Sequence, residues 1–393
     1  MKQITILGST GSIGTSTLDV IRQHRDRFTV FALAAGSNAD LLASQIREFR
    51  PKIASLATDS ARTRLISILR DSGMPESEWP ELTFGPASRM NVATASEVDI
   101  VMSSIVGVAG LEATYEAVKR GKIVGLANKE VLVAAGSLVI EAARAHGSDR
   151  LLPVDSEHNG AHQCFRAGRH HEVRKLLLTA SGGPFRNTPA EALQSVTPQQ
   201  ALRHPTWVMG PRITIDSSTL MNKGFEVIEA CWLFDLPPSQ VEVVVHPQSK
   251  IHAMVEYNDG SVIAQVSATD MRMPIQYALT YPDRWDAPVQ PLDWTNMSHW
   301  EFFPPDLDKF PLLRLAYQAM ETGGTATATL NAADEVAVES FLQGEISYPR
   351  IAEVVEETLQ QVPSRRPVSI AEVLDIDSHS RQVARALAHG KLV

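Results

Sequence analysis

The amino-acid sequence predicts an α/β protein with an N-terminal doubly wound domain, a central α+β domain and a C-terminal α-helical bundle. Three features of the sequence support this prediction. Apolar runs alternate with helical stretches in 1–150, strand-like alternation is mixed with polar loops in 151–285, and helical periodicity prevails in 312–393. Because 393 residues exceed the usual size of one hydrophobic core, several domains are expected.

The first domain shows the alternation of strands and helices that a parallel sheet requires, because each parallel strand is followed by a crossover helix. The candidate strands are 4–7, 28–35, 52–57, 98–105, 122–126 and 151–154. The candidate helices between them are 39–49, 60–70, 109–119 and 131–145.

The remainder of the chain has two further patterns. Strand-like alternation occurs in 241–245 and 261–267, among loops that contain Gly and Pro. The segment 286–311 is rich in Pro, Trp and Asp and has no clear period, which is typical of a linker. Helical spacing returns in 312–320, 328–342, 351–359 and 370–387, which predicts a bundle.

Composition excludes several classes of protein. A net charge of -9 without an extended basic run argues against a nucleic-acid partner, and 21% charged residues interrupt any membrane span. The two cysteines, Cys164 and Cys231, lack metal-ligand spacing and are expected to be reduced thiols. Since no leader-like segment precedes the first strand, we expect a cytoplasmic protein.

A glycine-rich turn follows the first strand. Segment 8–14 has the sequence GSTGSIG and precedes an amphipathic helix, so the glycines lie where a pyrophosphate meets a helix N-terminus. Thr10 to Ile13 would offer backbone N–H groups, and Ser12 would add a hydroxyl. The alternative is a purely structural turn. We predict a Rossmann-type dinucleotide-binding domain.

The turn after the second strand indicates which dinucleotide binds. Enzymes that use NAD place an acid there, whereas this chain has Ala35, Gly36, Ser37 and Asn38. NADPH is therefore favoured over NADH. The turn contains no Arg or Lys, so Ser37 and Asn38 would provide neutral donors to the 2′-phosphate.

Acidic residues stand directly after the strand at 151–154. Segment 155–159 has the sequence DSEHN, and alternation along an extended chain would put Asp155 and Glu157 on one side. Such a pair is usually a solvated loop edge. Its position favours a metal instead, because open parallel sheets bind ligands beyond the carboxyl ends of their strands.

A second polar segment, 216–226, has the sequence DSSTLMNKGFE and offers hydroxyl, amide and ammonium donors suited to a phosphate. Glu226 would complete a site of three carboxylates, which requires a cation such as Mg²⁺ or Mn²⁺. Asp216 and Glu229 compete for the same role, and spacing alone does not exclude them.

Three shorter segments are also candidates. Segment 181–185, SGGPF, predicts a glycine turn that presents N–H groups, or a plain turn. Segment 204–210, HPTWVMG, predicts a mobile lid that carries Trp207, with a core Trp as the alternative. Segment 246–252, HPQSKIH, is as compatible with a strand end whose histidines are hydrogen-bonded as with a functional site.

Taken in order, these motifs resemble the 1-deoxy-D-xylulose 5-phosphate reductoisomerase family over nearly the whole chain. The matching segments are the glycine turn, LANKE at 126–130, DSEHN at 155–159, SGGPF at 181–185, HPTWVMG at 204–210 and MNKG at 221–224. The family often has a basic residue beside Gly36, where this chain has Ser37.

The resemblance implies a V-shaped homodimer, with an NADPH-binding domain (1–150), a catalytic and dimerisation domain (151–285), a linker (286–311) and a helical domain (312–393). It implies metal ligation by Asp155, Glu157 and Glu226. Substrate contacts are implied for Lys129, Ser156, Glu157 and Glu226, for the phosphate-binding residues Ser181, Ser217, Asn222 and Lys223, and for the loop residues His204 and Trp207. Cofactor contacts are implied for Thr10, Gly11, Ser12, Ile13, Gly36, Ser37, Asn38, Asn128, Glu130 and Gly210.

The implied reaction is the rearrangement of 1-deoxy-D-xylulose 5-phosphate and its reduction by NADPH to 2-C-methyl-D-erythritol 4-phosphate, with Lys129, Asp155, Glu157 and Glu226 as the catalytic group. Two alternatives remain. A metal-free NADPH dehydrogenase of the semialdehyde type would keep its activity in the presence of a chelator. A nucleotide-sensing protein would bind the cofactor without turning over a sugar phosphate.

Overall fold

The computed structural model describes residues 1–207, 209–296 and 299–390, which form two compact units. The first unit comprises Met1–Val131, Val139–Asn159 and Asp270–Gln290. The second comprises Leu132–Leu138, Gly160–Thr269 and Pro291–Val393. Val208, within the predicted loop at 204–210, lies outside the described residues. The boundaries predicted from the sequence remain a prediction.

The strands, in chain order, are β1 (Lys2–Leu7), β2 (Phe28–Ala34), β3 (Ile53–Leu56), β4 (Glu81–Phe84), β5 (Ile100–Ser103), β6 (Ile123–Leu126), β7 (Leu151–Pro153), β8 (Val173–Ala180), β9 (Val241–Val245), β10 (Ile251–Tyr257) and β11 (Val262–Val266). The helices are α1 (Ser12–Gln23), α2 (Ala39–Phe49), α3 (Asp59–Asp71), α4 (Gly85–Thr94), α5 (Leu111–Lys119), α6 (Glu130–Arg144), α7 (Ser156–Phe165), α8 (Pro198–Ala201), α9 (Pro211–Ser218), α10 (Met221–Phe234), α11 (Arg272–Thr280), α12 (Pro311–Thr322), α13 (Ala326–Leu342), α14 (Arg350–Gln361) and α15 (Ile370–Ala388).

The first unit is built on a seven-stranded parallel sheet in the order β4-β3-β2-β1-β5-β6-β7. Its central strands are apolar because both faces are covered, as the fully buried Ile4, Ile6 and Leu33 show. Helix side chains such as Leu42 and Ile46 complete this core. The doubly wound fold predicted from the sequence is confirmed. All its strands point the same way, so the turns that follow β1, β2, β6 and β7 share one edge of the sheet.

The second unit contains a mixed four-stranded sheet in the order β11-β10-β8-β9. Strand β8 pairs parallel with β9 and antiparallel with β10, and β10 pairs antiparallel with β11. One core joins this sheet to α10 and to the C-terminal helices through buried residues such as Leu178, Ile228, Leu313 and Phe341. The predicted α+β region and helical bundle are therefore both present.

The structure differs from the sequence-based elements in several segments. Strand β4, helix α4, strands β8 and β10 and the helices from α7 to α11 were not predicted. The assumption of an extended chain at 155–159 is wrong, because Asp155 caps α7 and Glu157 lies in its first turn. Asp155 Oδ1 accepts the Glu157 N–H at 3.1 Å, and this N-cap hydrogen bond stabilises the helical conformation of the segment over an extended one.

Within the described part of the chain, no helix is long and apolar enough to cross a membrane.

Candidate active site

The turn after β1 brings its backbone close to the segment that follows β5. Gly8 has φ +92°, and a Cβ there would lie 2.7 Å from the Ser104 carbonyl oxygen. A Cβ on Gly14 would lie 2.3 Å from the Gly8 carbonyl oxygen. Helix α1 then starts at Ser12 without a side-chain cap on Gly11, so its first N–H groups remain available to an anion.

The turn after β2 lies beside the turn after β3, because the Ala57 N–H donates to the Gly36 carbonyl at 3.2 Å. Asn38 caps α2 by accepting the Leu41 N–H at 3.1 Å, which leaves its amide nitrogen as a donor. Ser37 is exposed. Three of the residues expected to contact the cofactor, Gly36, Ser37 and Asn38, are thus together on one turn.

A basic residue that the sequence-based interpretation missed lies near this turn. Arg64 of α3 forms an ion pair with Asp40, in the first turn of α2, at 2.8 Å. Arg64 is 27 residues from Ser37 in sequence, so only the packing of α3 beside α2 reveals it. Its partner Asp40 is two residues from Asn38 in sequence.

The turn after β6 carries Asn128, Lys129 and Glu130. Asn128 is buried and donates its amide to the carbonyls of Ile105 and of Gly107, the latter at 3.0 Å. These bonds tie the loop after β5 to the start of α6. Asn128 therefore shapes this edge of the sheet, in addition to its predicted contact with the cofactor.

Lys129 is paired with the first acid of the DSEHN segment. Its ammonium group contacts Asp155 Oδ2, and the two side chains are only 12% and 11% exposed. Ser156 donates its hydroxyl to the carboxylate of Glu157. The first unit thus places Lys129, Asp155, Ser156 and Glu157 together, at the carboxyl ends of β6 and β7.

In the second unit, a histidine joins two serines that are predicted to bind phosphate. His204 Nε2 lies 3.0 Å from Ser217 Oγ and 3.2 Å from Ser181 Oγ. Its Nδ1 accepts the N–H of Trp207 at 2.9 Å. Burial lowers the pKa of His204, which favours the neutral ring. Because Nδ1 is an acceptor, Nε2 carries the proton and donates to a hydroxyl, so both O–H groups can face a ligand.

The glycine turn after β8 adopts a conformation that other residues disfavour. Gly182 has φ +84° and Gly183 has φ +67°. A Cβ on Gly183 would lie 2.8 Å from the Ser217 carbonyl oxygen. The Gly183 N–H donates to Ser181 Oγ at 3.2 Å. The two glycines therefore allow this turn to approach α9 closely.

Helix α10 carries the other predicted ligands. Glu226 is buried, accepts the Asn222 amide at 2.6 Å and forms an ion pair with Lys223, which is also buried. The competing acids lie elsewhere on these helices. Asp216 is on α9, 3.6 Å from the guanidinium of Arg212, and Glu229 is buried one turn after Glu226.

The two remaining candidate segments are 246–252 and 204–210. His246 stacks on Phe302, and both its ring nitrogens are hydrogen-bonded, to the Glu301 carbonyl and the Lys250 N–H. Trp207 is half-buried, with its ring centroid 6.4 Å from that of His252. Gly210 is the residue before α9.

Comparison with protein families supports one relationship over the whole chain. Residues 4–136 match the family model described as 1-deoxy-D-xylulose 5-phosphate reductoisomerase. Residues 151–234 and 266–383 match two models for C-terminal domains of the same enzyme.

Individual relatives agree. The chain is 64% identical over 389 residues to the 1-deoxy-D-xylulose 5-phosphate reductoisomerase of Solibacter usitatus, covering 99% of this chain and 98% of the relative. It is 50% identical over 387 residues to that of Prosthecochloris aestuarii, covering 98% of this chain and 100% of the relative.

Solved structures of the family superpose on the fold. The Zymomonas mobilis enzyme in complex with NADPH has a TM-score of 0.92 and 43% identity, covering 98% of this chain and 99% of that chain. A DOX-P reductoisomerase in complex with NADPH, fosmidomycin and magnesium has a TM-score of 0.92 and 40% identity, covering 99% of this chain and 98% of that chain. From these matches we conclude that the chain belongs to the 1-deoxy-D-xylulose 5-phosphate reductoisomerase family.

Proposed function

We propose that the chain rearranges 1-deoxy-D-xylulose 5-phosphate and reduces the product with NADPH to 2-C-methyl-D-erythritol 4-phosphate, a step of non-mevalonate isoprenoid precursor biosynthesis. The observation that carries this function is 64% identity to a reductoisomerase over 99% of the chain. The chain is thus an NADPH-dependent oxidoreductase that also requires a divalent metal, as complexes of its relatives with NADPH and magnesium support.

We infer that the cofactor pyrophosphate lies on the N-terminus of α1, against Thr10, Gly11, Ser12 and Ile13. The uncapped helix start supports this placement. Gly36, Ser37 and Asn38 would hold the adenosine ribose and its 2′-phosphate, and Asn128, Glu130 and Gly210 would contact other parts of the cofactor. Arg64 would supply the positive charge that Ser37 lacks.

For the metal, we propose Asp155, Glu157 and Glu226 as ligands. All three offer the hard oxygen donors that Mg²⁺ and Mn²⁺ prefer. Asp155 and Glu226 are each poorly exposed and each paired with a lysine, so both positions tolerate a nearby positive charge. A bound cation supplies Lewis-acid stabilisation of charge on substrate oxygens.

The substrate phosphate would bind to the second unit. Ser181, Ser217, Asn222 and Lys223 offer two hydroxyls, an amide and an ammonium group, and His204 orients the hydroxyls. These phosphate contacts would supply binding energy at a distance from the reacting carbons. That binding energy can be used to hold the reacting carbons in a reactive geometry.

The residues nearest the reacting carbons would be Lys129 and Ser156, with Glu157. The Lys129 ammonium would donate to a substrate oxygen that gains negative charge, and Asp155 holds that ammonium in place. Trp207, on the segment between His204 and Gly210, would close over the substrate and exclude water from the aldehyde intermediate.

We propose a homodimer in the cytoplasm. The edge strand β11 exposes the apolar side chains of Val262 (49%) and Ile263 (39%), and a bare apolar edge is usually covered by another chain. Cys164 and Cys231 are buried free thiols, as expected in a reducing compartment.

The test is NADPH oxidation by the purified chain with 1-deoxy-D-xylulose 5-phosphate, after EDTA treatment and after addition of Mg²⁺ or Mn²⁺. We expect turnover only with metal and substrate together. Turnover that persists in EDTA would favour a metal-free dehydrogenase, and NADPH binding without turnover would favour a nucleotide sensor.

A further inference from the structure

Helix α9 carries Ser217 but is too short to be stable without tertiary contacts. It spans eight residues, Pro211–Ser218, and isolated helices of that length are not stable in water. Ser217 faces His204, whereas Arg212 and Asp216 are one helical turn apart, 3.6 Å from each other, and contact α13. The position of Ser217 therefore depends on what holds Arg212 and Asp216.

Helix α13 provides the partners of Arg212. The guanidinium donates to Glu335 Oε1 at 2.7 Å and to Asn331 Oδ1 at 3.1 Å. It also lies 3.8 Å from Asp334 Oδ2 and 5.9 Å from the ring centroid of Phe225, on α10. One arginine of α9 thus contacts two neighbouring helices.

Helix α15 continues the network. Arg381 forms an ion pair with Glu335 Oε2 at 2.6 Å and binds both carboxylate oxygens of Asp377, at 2.6 and 3.1 Å. Glu335 therefore bridges two arginines from different helices. We call this set the α9 clamp, and its charged members are Arg212, Asp216, Asp334, Glu335, Asp377 and Arg381.

The α9 clamp contains more acids than bases, with four carboxyl groups and two guanidinium groups. Asp334 is fully buried, and within the described part of the chain neither of its oxygens accepts a hydrogen bond from a nitrogen donor. Burial raises the pKa of Asp334, the charge of Asp216 and a hydrogen bond to it raise that pKa further, and Arg212 opposes the shift. A proton shared between Asp216 and Asp334 removes one negative charge and satisfies both carboxyl groups.

We propose that Arg212 and a proton-sharing pair, Asp216 and Asp334, are positioning residues that brace α9 against the C-terminal helices and thereby fix Ser217 for the substrate phosphate. This inference rests on the proposed phosphate-binding role of Ser217. A second contact supports it: the Tyr348 hydroxyl, beside α14, donates to the Ser218 carbonyl at 2.6 Å, so the end of α9 is also held by the C-terminal region.

The first test compares Arg212→Met and Arg212→Lys with Glu339→Gln, an exposed position on α13 that serves as the control. Arg212→Met should raise KM for the sugar phosphate at least about tenfold, and Ki for inorganic phosphate in parallel, since both report on the phosphate grip. We expect kcat and the Kd of NADPH to change less than about threefold, and Arg212→Lys to recover part of the loss. Unchanged KM and Ki, or kcat and KM altered only together with a large loss of Tm, would overturn the proposal.

The second test concerns the shared proton and uses a variant that should fold. Asp334→Asn keeps the shape of the protonated acid and should leave KM within about twofold of the wild type, whereas Asp334→Leu removes the bond to Asp216 and should raise it about tenfold. Equal effects of the two variants would contradict proton sharing.

The pH dependence has a definite sign. Because the pKa of Asp334 is raised on folding, its contribution is complete at low pH and is lost as pH rises through the raised pKa. The charged groups next to it are Arg212 and Asp216 of α9 and Glu335 of α13, and Glu335 in turn pairs with Arg381 of α15. Phosphate itself titrates equally in both assays, so the ratio of Ki for inorganic phosphate in the wild type to Ki in Asp334→Asn should rise as the pH rises. Identical profiles would refute the shared proton, and a wild type without any turnover would instead refute the proposed function.

Discussion

Glu226→Gln separates the metal from the cofactor, because the change removes one negative charge and keeps the shape of the side chain. Glu226 is 1% exposed and its partner Lys223 is 4% exposed, so the variant removes the charge of one member of a buried ion pair. Removal of one partner of a buried ion pair costs about 3 to 5 kcal/mol. For a unit of this size we expect Tm to fall by roughly 10 °C.

The catalytic loss should exceed what instability explains. If Glu226 is a metal ligand, stabilisation of charge by the cation disappears, and a loss of about 4 kcal/mol corresponds to roughly a thousandfold in kcat/KM. NADPH affinity should stay within about threefold, or roughly 0.7 kcal/mol, because the acid serves the metal and not the nucleotide.

The assay follows Tm in EDTA and after addition of Mn²⁺ or Mg²⁺, together with NADPH oxidation. Metal should raise the Tm of the wild type and not that of Glu226→Gln, because only bound metal stabilises the folded chain. The double variant Glu226→Gln with Lys223→Met should recover Tm in EDTA, which isolates the effect of the broken ion pair on stability; its activity is not compared, because Lys223 is itself proposed to bind the substrate phosphate. Near-normal activity in Glu226→Gln, with Glu229→Gln inactive instead, would show that the wrong acid was chosen.

Three further predictions concern the cofactor, the loop and the thiols. NADPH should be preferred over NADH by at least about tenfold in kcat/KM, or roughly 1.4 kcal/mol, and equal use of both cofactors by the wild type would contradict the assignment. Arg64→Ala should reduce that preference and leave NADH kinetics unchanged. Arg70→Ala, at an exposed position at the end of α3, serves as the control. Trp207→Ala should lower kcat/KM ten- to a hundredfold, or roughly 1.5 to 3 kcal/mol, if the ring packs on substrate; a core Trp would instead cost about 3 to 5 kcal/mol of stability, visible as a large fall in Tm with little kinetic change. Burial raises the pKa of the Cys164 and Cys231 thiols to about 12, so a thiol reagent at pH 8 should modify the native chain far more slowly than the unfolded chain, and equally fast modification would mean that these thiols are accessible.

Much of the first unit was predictable because its signals are local. The glycine turn needs Gly8 at φ +92° and Gly14 beside the Gly8 carbonyl, and these requirements leave a motif in the sequence. Strands buried on both faces leave continuous apolar runs. In contrast, β4 (Glu81–Phe84) is a partly exposed edge strand with no alternation, and it was missed.

Strand β8 was missed for a different reason. Arg174 and Lys175 interrupt its apolar pattern, and they pair with Glu256 and Glu242 on the two neighbouring strands, at 3.1 and 2.9 Å. Helix α10 is buried on nearly every face, so its apolar residues show no helical stripe. Helix α7 has the sequence SEHNGAHQCF, in which polar residues predominate, so it has little apolar periodicity to detect.

The residue types of the candidate site were therefore present in the sequence, and the resemblance of the motifs to the family assigned their roles. Their surroundings were not. The pairing of Lys129 with Asp155, the approach of Arg64 to α2 and the α9 clamp all join residues that are distant in sequence. The proton position on His204 depends in addition on the burial of its ring. The local sequence pattern indicates which backbone conformation and which buried face a segment requires. The protonation and orientation of a side chain depend instead on the burial and on the neighbouring charges that result from tertiary packing.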